Sequence, residues 1–192
     1  QKLQTAYEAW RSAVLAAAKR PNEKQWQCLD LVHRRCVYEY TEEVSHQVNA
    51  TPGDRHWEPC FRMVHGLPGA GKSELLKWVK DYFETVWLWT IGIHFQFLAP
   101  LNMMAHGIGG ETLHSFGGIK FQNAEGTTVN PGAAHLGTDS VSKMVVKCKD
   151  LRFVFIDEFE AVGVRLAADF EGSLFNGVPT KNSYRFHSPH GH

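Results

Sequence analysis

What the chain lacks narrows the field first. There is no charge of one sign to spare: 20 Lys and Arg offset 20 Asp and Glu over 192 residues. That balance announces no nucleic-acid or membrane-surface partner, although local patches are compatible with it. No apolar run nears a membrane span of roughly 20 residues. The longest, Ala13 to Ala18, is mostly alanine, so no membrane partner is expected. Cysteine is scarce. Cys28, Cys36, Cys60 and Cys148 form no C-x-x-C pair. Cys28, His33 and Cys36 lack a second ligand pair at zinc spacing, so reduced thiols are expected instead. The first residues lack the charged-then-apolar layout of a signal peptide. An intracellular protein is expected, nuclear or mitochondrial in a eukaryote. The histidines of the end segment, His187, His190 and His192, have no partner cluster and read as a solvated loop.

The length suits one domain with a small helical extension. Leu3, Tyr7, Trp10, Val14 and Ala18 recur at helical spacing, and Pro21-Asn22 ends that helix. A second helical stretch carries Leu29, Val32, His33 and Cys36 on one face. The polar stretch from Asn49 to Glu58, with the turn signal Thr51-Pro52-Gly53-Asp54, marks the expected boundary. The division is therefore 1–60, helical, and 61–192, an α/β core. In that core, Phe61 to His65 reads as a buried strand, and His94 to Ala99 as a strand stopped by Pro100. Gln122 to Gly137 reads as a surface loop, and Ser140 to Lys149 as a helix. Leu151 to Ile156, apolar except for Arg152, is the most convincing buried strand. Strands alternating with helices predict a parallel sheet flanked by helices.

Gly66-Leu67-Pro68-Gly69-Ala70-Gly71-Lys72-Ser73 fits G-x-x-x-x-G-K-[ST], the P-loop. Glycines allow a tight turn whose N–H groups point at phosphate oxygens, and the next helix adds its positive end. Lys72 would bridge the β- and γ-phosphates, and the Ser73 hydroxyl would hold Mg²⁺. The flanks suit the motif. An apolar run precedes it, and Leu75, Leu76, Val79, Phe83 and Val86 follow at helical spacing. ATP and Mg²⁺ are the expected ligands. The strand Leu151–Ile156 closes on Asp157-Glu158, the Walker B pattern. Its carboxyl end would bring Asp157 beside the P-loop to hold Mg²⁺, while Glu158 orients the attacking water. The other reading of these two acids is a solvated strand end. No Asn-Lys-x-Asp motif is present, which disfavours a GTPase.

Gly110-Glu111-Thr112-Leu113-His114-Ser115-Phe116-Gly117-Gly118-Ile119 closely resembles the G-x-T-[IL]-H-S-F-x-G-I block of the Pif-one family of 5′-to-3′ DNA helicases, including those of Helitron transposons. Ala99-Pro100 resembles that family's A-P-T-G motif, with Leu101-Asn102 departing from Thr-Gly. Asn22-Glu23-Lys24-Gln25 resembles its N-x-x-Q motif, in which the Gln25 amide would read the adenine edge. The order agrees from Asn22 to Glu158. Roughly forty residues separate Gln25 from the P-loop, a longer gap than expected. Phe159-Glu160 departs from the usual Ile-Ser.

The resemblance implies an N-terminal helical region with an adenine-reading motif and an incomplete first RecA-like ATPase lobe. It implies single-stranded DNA as partner, running past Pro100, Thr112, His114 and Ser115. It also implies a second RecA-like lobe, with an arginine finger, in the full-length protein. The expectation is an ATP-dependent DNA helicase whose first lobe alone does not unwind DNA. Two other readings stay open: a P-loop nucleotide switch or kinase without DNA coupling, and a non-enzymatic truncated helicase remnant.

Overall fold

The computed structural model describes residues 2–48, 62–67, 69–119 and 138–177. The chain divides into two compact units, Gln1–Leu88 and Trp89–His192. The expected boundary near residues 49–58 lies outside the described residues, as do the expected loop from Gln122 to Gly137 and the histidine-rich end.

The first unit is helical: α1 (Lys2–Ala16), α2 (Glu23–Val48) and α3 (Lys72–Val86). On α1, Tyr7, Trp10 and Val14 are buried, the stripe its periodicity predicts, while Ala18 lies beyond the helix end. On α3 the buried stripe is Leu75, Val79, Tyr82, Phe83 and Val86. These bulky side chains on adjacent helical turns bring α1 and α2 against α3 through rings. The Trp10 and Tyr82 centroids lie 5.1 Å apart, and Tyr7 stacks on His33 at 3.6 Å. The polar tips of these rings are satisfied inside the packing. Tyr7 Oη donates to Asp30 Oδ1 (2.6 Å) and Trp10 Nε1 to Asp81 Oδ2 (2.7 Å). Burial, seconded by Asp30, pushes the Tyr7 hydroxyl up to about 12.

His33 makes this packing pH-sensitive. The Trp87 indole N–H can only donate, and it donates to Tyr82 Oη at 2.6 Å. His33 Nδ1 lies 2.8 Å from Tyr82 Oη, and which of the two donates depends on the histidine tautomer. Burial lowers the His33 pKa from its ordinary 6.5; Asp30 opposes this and Arg11 reinforces it. A histidine with a depressed folded-state pKa contributes stability above its unfolded value, and that stability is lost as pH falls through the folded value. The thermal midpoint should therefore drop as pH is lowered from 7.5 past 6.5 toward 5. In His33→Phe, which keeps a ring on Tyr7 and cannot titrate, the drop should be smaller. Equal pH slopes for both proteins would contradict the assignment.

The second unit is α/β. A three-stranded parallel sheet has the order β2 (Glu111–Thr112), β1 (Phe95–Ala99), β3 (Phe153–Ile156). Its register aligns Ala99 with Thr112 and Leu98 with Ile156. The unit's helices are α4 (Asn102–Gly107), α5 (Leu113–Gly117), α6 (Thr138–Cys148) and α7 (Val164–Gly177). Every residue of β1 is buried. Its alternation sends Leu98 into a core with Leu113, Phe116, Met144, Cys148 and Phe170. The opposite face carries a phenylalanine ladder, with Phe97 edge-on to both Phe95 and Phe155, centroids 5.5 Å apart in each pair. Burial pushes the Cys148 thiol up to about 11, which leaves it protonated and unreactive.

Two expectations need correction. Leu151–Ile156 was expected to be a buried strand, the most convincing in the chain, yet all of β3 is half-buried. It sits at the sheet edge with β1 on one side, so the central position, and full burial, belongs to β1. The expected strand Phe61–His65 is absent among the described residues. Residues 62–67 form no ladder, and Met63 and Val64 are about half exposed, 51% and 48%. A short apolar run becomes a strand only where a partner satisfies its backbone, and residues 62–65 have no ladder partner among the described residues.

Candidate functional site

In the first unit, residues 62–67 lead into a glycine turn that opens α3. Gly69 and Gly71 have φ of 79° and 83°, a left-handed conformation that only glycine adopts without strain. Ala70 N–H donates to Leu67 O at 3.0 Å, which closes the turn. Gly71 is the N-cap of α3 and its carbonyl accepts the first helical bond, from Leu75 N–H at 3.0 Å. Lys72 therefore begins the helix, where N–H groups lack intrahelical acceptors and the helix dipole is positive. Its Nζ arches back to donate to Gly66 O at 2.8 Å. Ser73 is exposed in the same first turn. Glu74 binds Lys19 and Lys77 at 2.9 and 3.1 Å, and its carboxyl is held below the ordinary range first by Lys19 and then by Lys77. Such a turn can hold an anion: backbone donors, a helix end and an ammonium converge on its mouth. Pro68 lies outside the described residues.

Gln25 occupies the first turn of α2 in the same unit. Asn22 Oδ1 accepts from Gln25 N–H at 3.0 Å, and Asn22 N–H donates to Gln25 Oε1 at 2.9 Å. The N-x-x-Q segment is thus a reciprocal capping box. Sequence reasoning passed over this role, although a polar cap followed three residues later by Gln ahead of an apolar stripe is the signal for it. Gln25 Nε2 also donates to Gly71 O at 3.1 Å.

In the second unit, the carboxyl ends of the three strands share one edge, where open α/β sheets bind ligands. Asp157 N–H donates to Leu98 O at 2.8 Å and so extends the β1–β3 ladder by one residue. Asp157 is buried, and its Oδ1 accepts from Glu158 N–H at 3.1 Å. Glu158 has φ 51°. For a side-chain-bearing residue this costs about 1 kcal/mol, and such strain gathers at functional sites. Pro100 ends β1 and is buried, with exposed Leu101 beside it.

The block after β2 is built from local hydrogen bonds. Thr112 is the N-cap of α5, its Oγ1 accepting from Ser115 N–H at 3.1 Å. Ser115 Oγ donates to Glu111 Oε2 at 3.2 Å. Lys147 Nζ donates to Phe116 O at 3.3 Å and stands 4.8 Å over the Phe116 ring. His114 is half-buried, and burial lowers its pKa against the pull of Asp169. Asn102, His106, Gly110, Glu111, Thr112 and Ser115 line an open groove of about 330 Å³ at this edge. Thr112→Ala should cost about 1 kcal/mol through the lost cap, and Thr112→Ser should recover most of it. Urea unfolding of the three proteins checks this, and an unchanged midpoint in the alanine variant would argue against the cap.

Cys28, Cys36 and Cys148 form no disulfide among the described residues, and Cys60 lies outside them. Among the described residues no three His, Cys, Asp or Glu side chains gather as metal ligands, and no helix is long and apolar enough to cross a membrane. Compared with known proteins, the chain matches no family model, no curated protein and no solved structure.

Proposed function

We propose that this chain is the ATP-binding first motor lobe, RecA-like in fold, of a helicase that moves along single-stranded DNA. The glycine turn carries the reading. Gly69 and Gly71 adopt left-handed backbone at the start of a 15-residue helix whose first residue is a lysine. That combination suits a triphosphate, and residues 62–67, Gly69 and Ala70 are exposed, open to a ligand. In this reading Lys72 and the first N–H groups of α3 neutralise the phosphates, and Gln25 borders the same loop. Ser73 in the first unit offers a hard oxygen donor of the kind Mg²⁺ prefers, and so, in the second unit, does Asp157. When bound, Mg²⁺ supplies charge neutralisation at the phosphate oxygens. Glu158 orients water. The resemblance of the Gly110–Ile119 block supports the DNA half of the reading, with Pro100, Thr112, His114 and Ser115 as its contacts.

One observation favours the reading without DNA coupling, a P-loop nucleotide switch or kinase. The Thr112 and Ser115 hydroxyls already serve α5 and Glu111. Equilibrium binding of ATP·Mg²⁺, measured with and without a single-stranded oligonucleotide, separates the two. A helicase lobe should bind ATP more tightly with the oligonucleotide, by about fivefold or more. ATP binding that ignores the oligonucleotide would favour the switch or kinase, and no ATP binding under either condition would sink both.

A further inference from the structure

We infer that Gln25 is a positioning residue for the phosphate loop, a clasp between the start of α2 and the last carbonyl before Lys72. The inference rests on the nucleotide-binding reading above but assigns Gln25 a task that needs no base. Both ends of its amide are engaged. Oε1 accepts from Asn22 N–H at 2.9 Å, and Nε2 donates to Gly71 O at 3.1 Å. The orientation is dictated by the partners: an N–H can only be met by the amide oxygen, and a carbonyl only by the amide nitrogen. The capping box fixes the Gln25 backbone as well, because Asn22 Oδ1 holds Gln25 N–H at 3.0 Å. The side chain therefore reaches Gly71 from a fixed origin.

Gly71 is where such a grip matters. Its carbonyl accepts both Gln25 Nε2 and Leu75 N–H, so one oxygen ties α2 to the first turn of α3. Its φ of 83° sets the direction in which Lys72 leaves the turn. A Cβ on Gly71 would lie 2.7 Å from Gln25 Nε2, so the amide sits directly on the glycine. Within the loop, Ala70 N–H donates to Leu67 O and Lys72 Nζ to Gly66 O. Without the clasp, Gly69 and Gly71 would have more conformations to lose when an anion binds, and affinity would fall.

The test uses a ligand without a base. Binding of ATP and of inorganic tripolyphosphate is measured for the wild-type chain and for Gln25→Met, which keeps the side-chain length and removes both hydrogen bonds. A clasp predicts that both ligands weaken alike, by roughly fivefold for a lost hydrogen bond of ordinary worth. Weakening of ATP with tripolyphosphate unchanged would overturn the clasp and leave Gln25 as a base reader. If the wild-type chain binds neither ligand, the nucleotide-binding reading itself fails. Should Gln25→Met not fold, Gln25→Glu keeps an acceptor for Asn22 N–H and removes only the donor to Gly71. Amide exchange at Gly69 to Ser73 should then quicken while that of α2 stays as in wild type, and unchanged exchange at those amides would overturn the proposal.

Discussion

Lys72→Ala is expected to lower ATP affinity by roughly a hundredfold, from the loss of charge-assisted bonds worth about 1.5–3 kcal/mol each. The fold should survive the change. Lys72 gives its ammonium to Gly66 O among the described residues, and that bond is exposed. Alanine at the first helical position is at least as good a helix former as lysine. Thermal stability close to wild type with ATP binding lost would tie Lys72 to the ligand. Titration calorimetry or a fluorescent nucleotide reads the first quantity and a thermal melt the second. Unchanged ATP affinity in a folded Lys72→Ala protein would remove the P-loop assignment, and the proposed function with it.

The largest stability effect is expected at Gly110. A Cβ there would lie 2.1 Å from Phe97 O, 2.7 Å from Phe97 C and 2.9 Å from Phe97 Cβ. Phe97 is fully buried in the central strand, and Gly110 N–H is pinned to Ala105 O at 2.8 Å. Neither backbone can move aside without breaking the β1–β2 pairing. Gly110→Ala should cost about 3 kcal/mol or more, a large part of the roughly 5–15 kcal/mol that holds a domain folded. The neighbouring residue is the control. Gly109 has φ 69° and nothing within 4 Å of an added Cβ. Gly109→Ala should therefore cost only the left-handed backbone term, about 1–2 kcal/mol. Denaturant unfolding of both variants decides the matter, and equal losses would show that the close approach to Phe97 is relieved in solution. A clash of this kind also gives the first glycine of the Gly110–Ile119 block a steric reason that involves no DNA.

Much of this was legible along the chain. Helical spacing marked the buried stripes of α1 and α3, because a 3.6-residue period puts those side chains on one face whatever they pack against. The apolar runs before Pro100 and Asp157 marked β1 and β3, and alternation with helices marked the sheet as parallel. The glycine turn was legible because Gly69 and Gly71 take a backbone conformation other residues avoid.

The sequence alone also misjudged particular residues. It read Leu151–Ile156 as a buried strand, whereas β3 is half-buried, because an apolar run carries no mark of its place in the sheet. It read Phe61–His65 as a strand from composition, whereas a ladder needs a second chain segment that composition does not supply. It gave no sign that Gln25 closes a capping box with Asn22 or that Thr112 caps α5.

By itself, then, the sequence determined what is local: helix faces, strand candidates, the turn of the glycine loop and the residue types able to hold phosphate. Tertiary structure alone decided which strand lies at the centre, which hydroxyls and amides are already engaged, and that Gly110 must be glycine because of Phe97. The physical reason is range. Periodicity and backbone sterics act over a few residues, whereas burial and hydrogen-bond satisfaction depend on neighbours that only the folded chain brings together.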